Sequence, residues 1–121
     1  MGDLTERGGT MAKALIWMAF DFTTVSDYDQ IYAWLDNHHA NECINDMAVL
    51  PYEYENDLIE TLKKDLSESV TFNKRARVYI IYRDAEKIKG KFIFGCRQEA
   101  PWIGFCQAPG PDDEELSIEQ A

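Results

Sequence analysis

Seven apolar residues, Ala14 to Phe20, run without a break in the first clearly patterned segment, "KALIWMAFDF" at residues 13–22, and stop at Asp21. Ile16, Met18, Phe20 and Phe22 fall on one side of an extended chain, and Leu15, Trp17, Ala19 and Asp21 on the other. Both sides are apolar, which predicts a strand covered twice, by helices on one face and by something else on the other. The period then becomes helical in "TTVSDYDQIYAWLDNHH". Ser26 or Thr24 can cap this helix, Asp27 and Asp29 sit in its positive first turn, and Tyr28, Ile31 and Leu35 form a stripe with Tyr32 beside it. "NECINDMAVLPYEY" holds two short apolar pieces around the turn-type dipeptide Asn45-Asp46, which predicts a tight hairpin. In "ENDLIETLKKDLSESV", Leu58, Leu62 and Leu66 recur at helical spacing with Ile59 alongside. "RARVYIIYRD" and "GKFIFGCRQ" read as strands joined by "AEKIK", and "APWIGFCQ" is a short apolar closing segment.

Strand, helix, hairpin, helix, strand and one further strand is the βαββαβ order. It predicts an α+β, ferredoxin-like sandwich, with two helices on one face of an antiparallel sheet and an added C-terminal strand. Three regions follow: a flexible N-terminal extension over 1–12, the ferredoxin-like domain over 13–108, and an acidic disordered tail over 109–121. The first ten residues carry glycines and charges without periodicity, and Met11 offers an alternative start. The tail, "PGPDDEELSIEQA", has little to bury.

Composition sharpens this picture. Among 121 residues, 45% are hydrophobic and 12% aromatic, enough for a real core and too much for a disordered chain. No apolar run approaches the ~20 residues needed to span a bilayer. "MAKALIWMAF" lacks the cleavage site of a secretory signal, and Cys43, Cys96 and Cys106 are an odd number without a CxxC pair. Both features point to reduced thiols in the cytoplasm, with no membrane as partner.

Charge is distributed unevenly. The net charge is −10, yet ten of the twelve basic residues lie between Lys63 and Arg97, against four acids there. Such asymmetry marks a partner surface or internal charge contact, or simply solvated faces of different sign. Lys74, Arg75, Arg77, Arg83, Lys87, Lys89, Lys91 and Arg97 are interleaved with Tyr79, Tyr82, Phe92 and Phe94, a mixture suited to phosphates and stacked bases. The overall negative charge opposes non-specific binding of a polyanion. The acidic tail can lie on this basic region and compete with an anionic ligand, or serve only solubility. His38 and His39 end the first helix, where they serve its C-terminus or, alternatively, acid–base chemistry. Trp102 and Phe105 in "PWIGF" read as a cover for the sheet edge or as an exposed docking patch.

A first strand ending in "MAFDF", a helix, a polar hairpin and "DLIETLKKDL" before an apolar strand resembles the small CRISPR-associated adaptation proteins of ferredoxin-like fold. It is similar also to the virulence-associated protein D ribonucleases and to short SinR-like proteins, the last through "FGCRQEAPWIGF". The resemblance covers roughly residues 13–106 and implies a homodimer. In the nuclease members the first-strand aspartates of both chains approach the two-fold axis and hold a divalent metal, which by position implies Asp21. "KRARVYIIYRDAEKIKG" and the acidic tail depart from the pattern. Leu15, Trp17 and Ala19, with Trp102 and Phe105, are the expected interface.

The leading expectation is therefore a small dimeric binding or regulatory module linked to defence systems or mobile elements, with a protein or RNA as further partner. One alternative is a metal-dependent endoribonuclease centred on Asp21, using Mg²⁺ or Mn²⁺ where the binding module would need no cofactor. The other is an acidic inhibitor that imitates nucleic acid and occupies a defence enzyme.

Overall fold

The computed structural model describes residues 11–106 and 118–120. In chain order the elements are β1 (Met11–Asp21), α1 (Val25–Asn37), β2 (Asn41–Ile44), β3 (Met47–Glu55), α2 (Leu58–Ser69), β4 (Arg77–Asp84), β5 (Lys87–Phe94) and β6 (Ile118–Gln120). They form one sheet in the order β2-β3-β1-β4-β5-β6, with every neighbouring pair antiparallel except β5 and β6. The first four strands and two helices make the expected ferredoxin-like arrangement, both helices lying on one face. β5 extends it as a hairpin partner of β4.

Local chemistry sets the element boundaries. Thr24, in extended conformation, accepts the Asp27 N–H at 3.1 Å and is the N-cap of α1, so Ser26 lies inside the helix. Asp57 caps α2 in the same way through the Glu60 N–H at 2.9 Å. His38 is the C-cap of α1, and His39 takes a left-handed φ of 57° that ends the helix.

The core forms where the strand and helix periods coincide. Ile16 and Met18 of β1, Leu50 of β3, and Val78 and Ile80 of β4 are fully buried against Ile31 of α1 and Leu62 and Leu66 of α2. Trp34, outside the stripe read from sequence, is buried as well, whereas Tyr32 is exposed. An aromatic cluster of Phe20, Phe22, Tyr28 and Phe72 closes one end, with the Phe22 and Phe72 rings stacked at 4.8 Å.

Three sequence expectations change. β1 starts at Met11, inside the expected 1–12 extension, because Met11 and Ala12 pair with Glu55 and Tyr54. "PWIGF" does not cover the sheet edge: residues 101–104 form a turn, leaving Trp102 71% and Phe105 82% exposed. Within the tail, Ile118–Gln120 pairs with Ile88–Gly90. The rest of the tail, residues 109–117 and 121, lies outside the described residues, as do residues 1–10 and 107–108. No helix among those described is long and apolar enough to cross a membrane.

Candidate functional site

The helix-free face of the sheet is built by strand alternation and register. β1 presents Lys13, Leu15, Trp17, Ala19 and Asp21 to it. Trp17 lies opposite Val49 on β3 and Ile81 on β4, which places it at the centre of the face. Ala19 lies between Met47 and Tyr79, and Pro51 stands opposite Leu15. A register shift between Val78 and Tyr79 makes Phe94 the partner of Val78 and Phe92 the partner of Tyr79. Plain alternation would put Phe92 and Phe94 on one face. The bulge separates them, so Phe94 meets Phe72 on the helix side and Phe92 meets Tyr79 on the open side. Gly90, opposite Ile81, admits the Tyr79 ring, which any Cβ there would strike.

The result is an apolar surface in which Leu15 is 51% exposed and Ile88 also reaches solvent. A cavity of about 760 Å³ over it is lined by Leu15, Trp17, Met47, Ile81 and Ile88 among others. Charge is confined to its ends. Lys13 stands opposite Glu53 at one end, with Arg83 opposite Ile88 nearby, and Asp21 stands opposite Arg77 at the other. Trp102 and Phe105 do not line this cavity.

Asp21 sits where the sequence places it, at the exit of β1, with its carboxylate largely in solvent. Its Oδ2 accepts from Arg77 Nε at 3.1 Å and Nη2 at 2.8 Å. Arg77 is further held by the Cys96 carbonyl, and Gly95 lies against its stem, where a Cβ would meet Arg77 Cγ at 2.7 Å. Gly95 has φ +82°, which favours glycine for a second reason. A cation at Asp21 would therefore compete with a guanidinium already seated on one carboxylate oxygen. Among the described residues no group of three or more His, Cys, Asp or Glu is arranged to hold a metal ion.

Beyond Asp21 and Arg77 a cleft of about 440 Å³ is lined by Thr23, Lys74, Arg75, Ala76, Gly95, Cys96 and Gln98. The loop carrying its cations is tied to α1. Asp27, 2% exposed, accepts the Asn73 N–H through both oxygens at 3.1 and 3.2 Å. Gln30 donates to the Thr71 carbonyl and accepts its N–H, and Asn73 Oδ1 accepts the Arg75 N–H. Sequence reading took Asp27 only as a helix-dipole residue; its partner lies 46 residues away and leaves no periodic signal.

A second polar group occupies the helix side. Asp65 of α2 accepts from Tyr52 Oη at 2.8 Å, Trp34 Nε1 at 3.3 Å and Ser69 Oγ at 3.2 Å. His38 Nδ1 donates to the Trp34 carbonyl at 2.8 Å, its Nε2 is 3.7 Å from Asp65, and its ring stacks on Trp34. These bonds fasten α1 and α2 to β3, and His38 is held within them. Burial, then the bond to Asp65, pushes the Tyr52 hydroxyl well above its ordinary pKa. Tyr28 and Tyr82 are raised too, again chiefly by burial.

The eight cations grouped by sequence do not share one surface. Lys74, Arg75 and Arg77 border the cleft, and Arg97 lies 5.7 Å over the Phe92 ring. Arg83 is on the open face, and Lys87 is at the β4–β5 turn. Lys89 pairs with Asp84 at 2.8 Å, and Lys91 stands opposite Ile80, on the helix side. No protein-family model, curated protein or solved structure matches the chain.

Proposed function

We propose that the protein is a binding module that acts as a homodimer, two copies meeting through the helix-free faces of their sheets. The observation that carries this reading is the apolar surface centred on Trp17, uncovered among the described residues. Each large apolar side chain removed from water there contributes about 1.5–3 kcal/mol. A second copy is the occupant favoured by charge. Lys13 and Asp21 lie on the same face of β1, four residues to either side of Trp17. A two-fold axis over Trp17, crossing the strands, brings Lys13 of each copy opposite Asp21 of the other. Asp21 has Oδ1 available, since both bonds from Arg77 go to Oδ2. The two Lys13–Asp21 contacts would then close both ends of the interface with opposite charges.

A two-fold along the strands would instead set Asp21 on Asp21, the arrangement implied by a resemblance to the nuclease families. That arrangement brings two carboxylates together and needs a cation between them, whereas the crossing arrangement supplies each carboxylate with a lysine of the chain itself, so the crossing arrangement is preferred. Exposed thiols with no disulfide among the described residues fit a reducing compartment such as the cytoplasm. Light scattering at micromolar concentration should give twice the chain mass, and Trp17→Asp should give the single-chain mass with the fold retained. A wild-type chain that stays monomeric at all concentrations excludes this function. Cleavage of RNA with Mg²⁺ or Mn²⁺ that vanishes in Asp21→Asn would establish the nuclease in its place.

A further inference from the structure

The cleft beyond Asp21 lies past the end of the apolar face and is complete in one chain. Its lining holds three cations, Lys74, Arg75 and Arg77, against one carboxylate, in a protein whose overall charge is −10. Arg77 is committed to Asp21 and fixed by Gly95 and the Cys96 carbonyl. Lys74 and Arg75 are exposed, and no ion pair engages them among the described residues. The loop that presents them is ordered in advance by the bonds from Asp27 and Gln30, which lowers the conformational cost of gathering cations around an anion. Thr23 and Gln98 add neutral polar groups to the same wall.

A second recess, of about 190 Å³, shares Asp21 and Arg77 with the cleft and is walled by Ala19, Tyr79 and Phe92. Tyr79 and Phe92 stand edge to face at 4.8 Å, and Arg97 caps Phe92. Cations on one side of a fixed arginine and aromatic rings on the other match a ligand with an anionic group joined to a flat ring. We infer that the cleft binds a nucleoside phosphate, the phosphate on Lys74 and Arg75 and the base against Phe92 and Tyr79. Lysine and arginine together supply point charge and a planar fork for phosphate oxygens. Aromatic walls give a base sequence-tolerant stacking. The net charge of −10 selects a small ligand over a strand, because repulsion from the whole chain grows with each added phosphate.

Calorimetric titration of the full chain tests this with adenosine monophosphate, uridine monophosphate, inorganic phosphate, adenosine and a ten-nucleotide single-stranded RNA. The monophosphates should bind more tightly than phosphate or adenosine alone, and Lys74→Ala/Arg75→Ala should weaken them at least tenfold. Phe92→Leu should weaken the monophosphates while leaving inorganic phosphate unchanged. Lys63→Ala/Lys64→Ala, on the exposed side of α2, should bind as wild type does. Unaltered monophosphate binding in Lys74→Ala/Arg75→Ala overturns the assignment, as does no binding of either monophosphate. An RNA strand binding more tightly than the monophosphates also overturns it, and makes the ligand a nucleic acid. Repeating the titration on Trp17→Asp separates this site from dimerisation: because Ala19, Tyr79 and Phe92 lie on the face that pairing would cover, the single chain should bind the monophosphates at least as tightly as wild type, and weaker binding there overturns a site complete in one chain.

Discussion

Asp21 illustrates how much one bond changes the meaning of a residue. At the end of an apolar strand a carboxylate invites a catalytic reading, yet here it holds Arg77 with two hydrogen bonds to a single oxygen. The pair is surface-exposed, so it is worth at most about 1 kcal/mol. Asp21→Asn should accordingly move the thermal stability of the chain by no more than that, measured by thermal denaturation. Tyr52 gives a prediction at the same scale. Its pKa is raised on folding, so the folded chain retains a proton that the unfolded chain releases above pH 10. Its contribution is complete below that pH and lost as pH rises beyond it, by about 1.4 kcal/mol per pH unit. Tyr28 and Tyr82 add in the same direction. Denaturant melts at pH 9 to 11 should show stability falling above pH 10, less steeply in Tyr52→Phe.

At the scale of elements, the informative segment is the stretch from residue 71 to 76 between α2 and β4. Asp27→Ala leaves the Asn73 N–H without its carboxylate partner and should cost about 1–3 kcal/mol, read from urea denaturation. Nucleotide affinity should fall with it, because Lys74 and Arg75 lose their fixed positions. Asp27 marks the boundary of what sequence pattern reveals. The buried stripe of α2 and the core face of β1 were legible, since Leu62 and Ile16 repeat with the period of their own element. Bonds such as Asp27 to Asn73 and Asp65 to Tyr52 join different elements, and no local period encodes them. The basic stretch was legible as a concentration but not as a surface. Alternation along β4 and β5, interrupted by the bulge at Phe92–Phe94, sends Arg77 and Lys91 to opposite faces. The site itself was thus visible in its residue types and hidden in its grouping.

For the whole molecule, a ferredoxin-like sheet with helices on one side leaves its other side uncovered among the described residues. Along β1 itself this face is directional, with Lys13 at one end and Asp21 at the other, while Glu53 and Arg77 stand opposite them on β3 and β4. In the proposed dimer, this placement of Lys13 and Asp21 favours a crossing two-fold over the arrangement that stacks carboxylate on carboxylate. The proposed dimer and the proposed nucleotide site would meet at the Asp21–Arg77 pair, with the phosphate cleft beyond it and the aromatic recess of Tyr79 and Phe92 on the helix-free face.

The most direct measurement uses two charge-altered chains. Lys13→Glu carries two acids on its β1 face, and Asp21→Lys carries two cations. At low ionic strength each should self-associate about tenfold more weakly than wild type, through two like-charge contacts per dimer. Mixed in equal amounts, they should recover wild-type affinity as a heterodimer, seen as a doubled mass by light scattering and as the mixed species by native mass spectrometry. Single variants that dimerise like wild type, or a mixture that forms no more heterodimer than chance exchange provides, would contradict a crossing two-fold through Trp17.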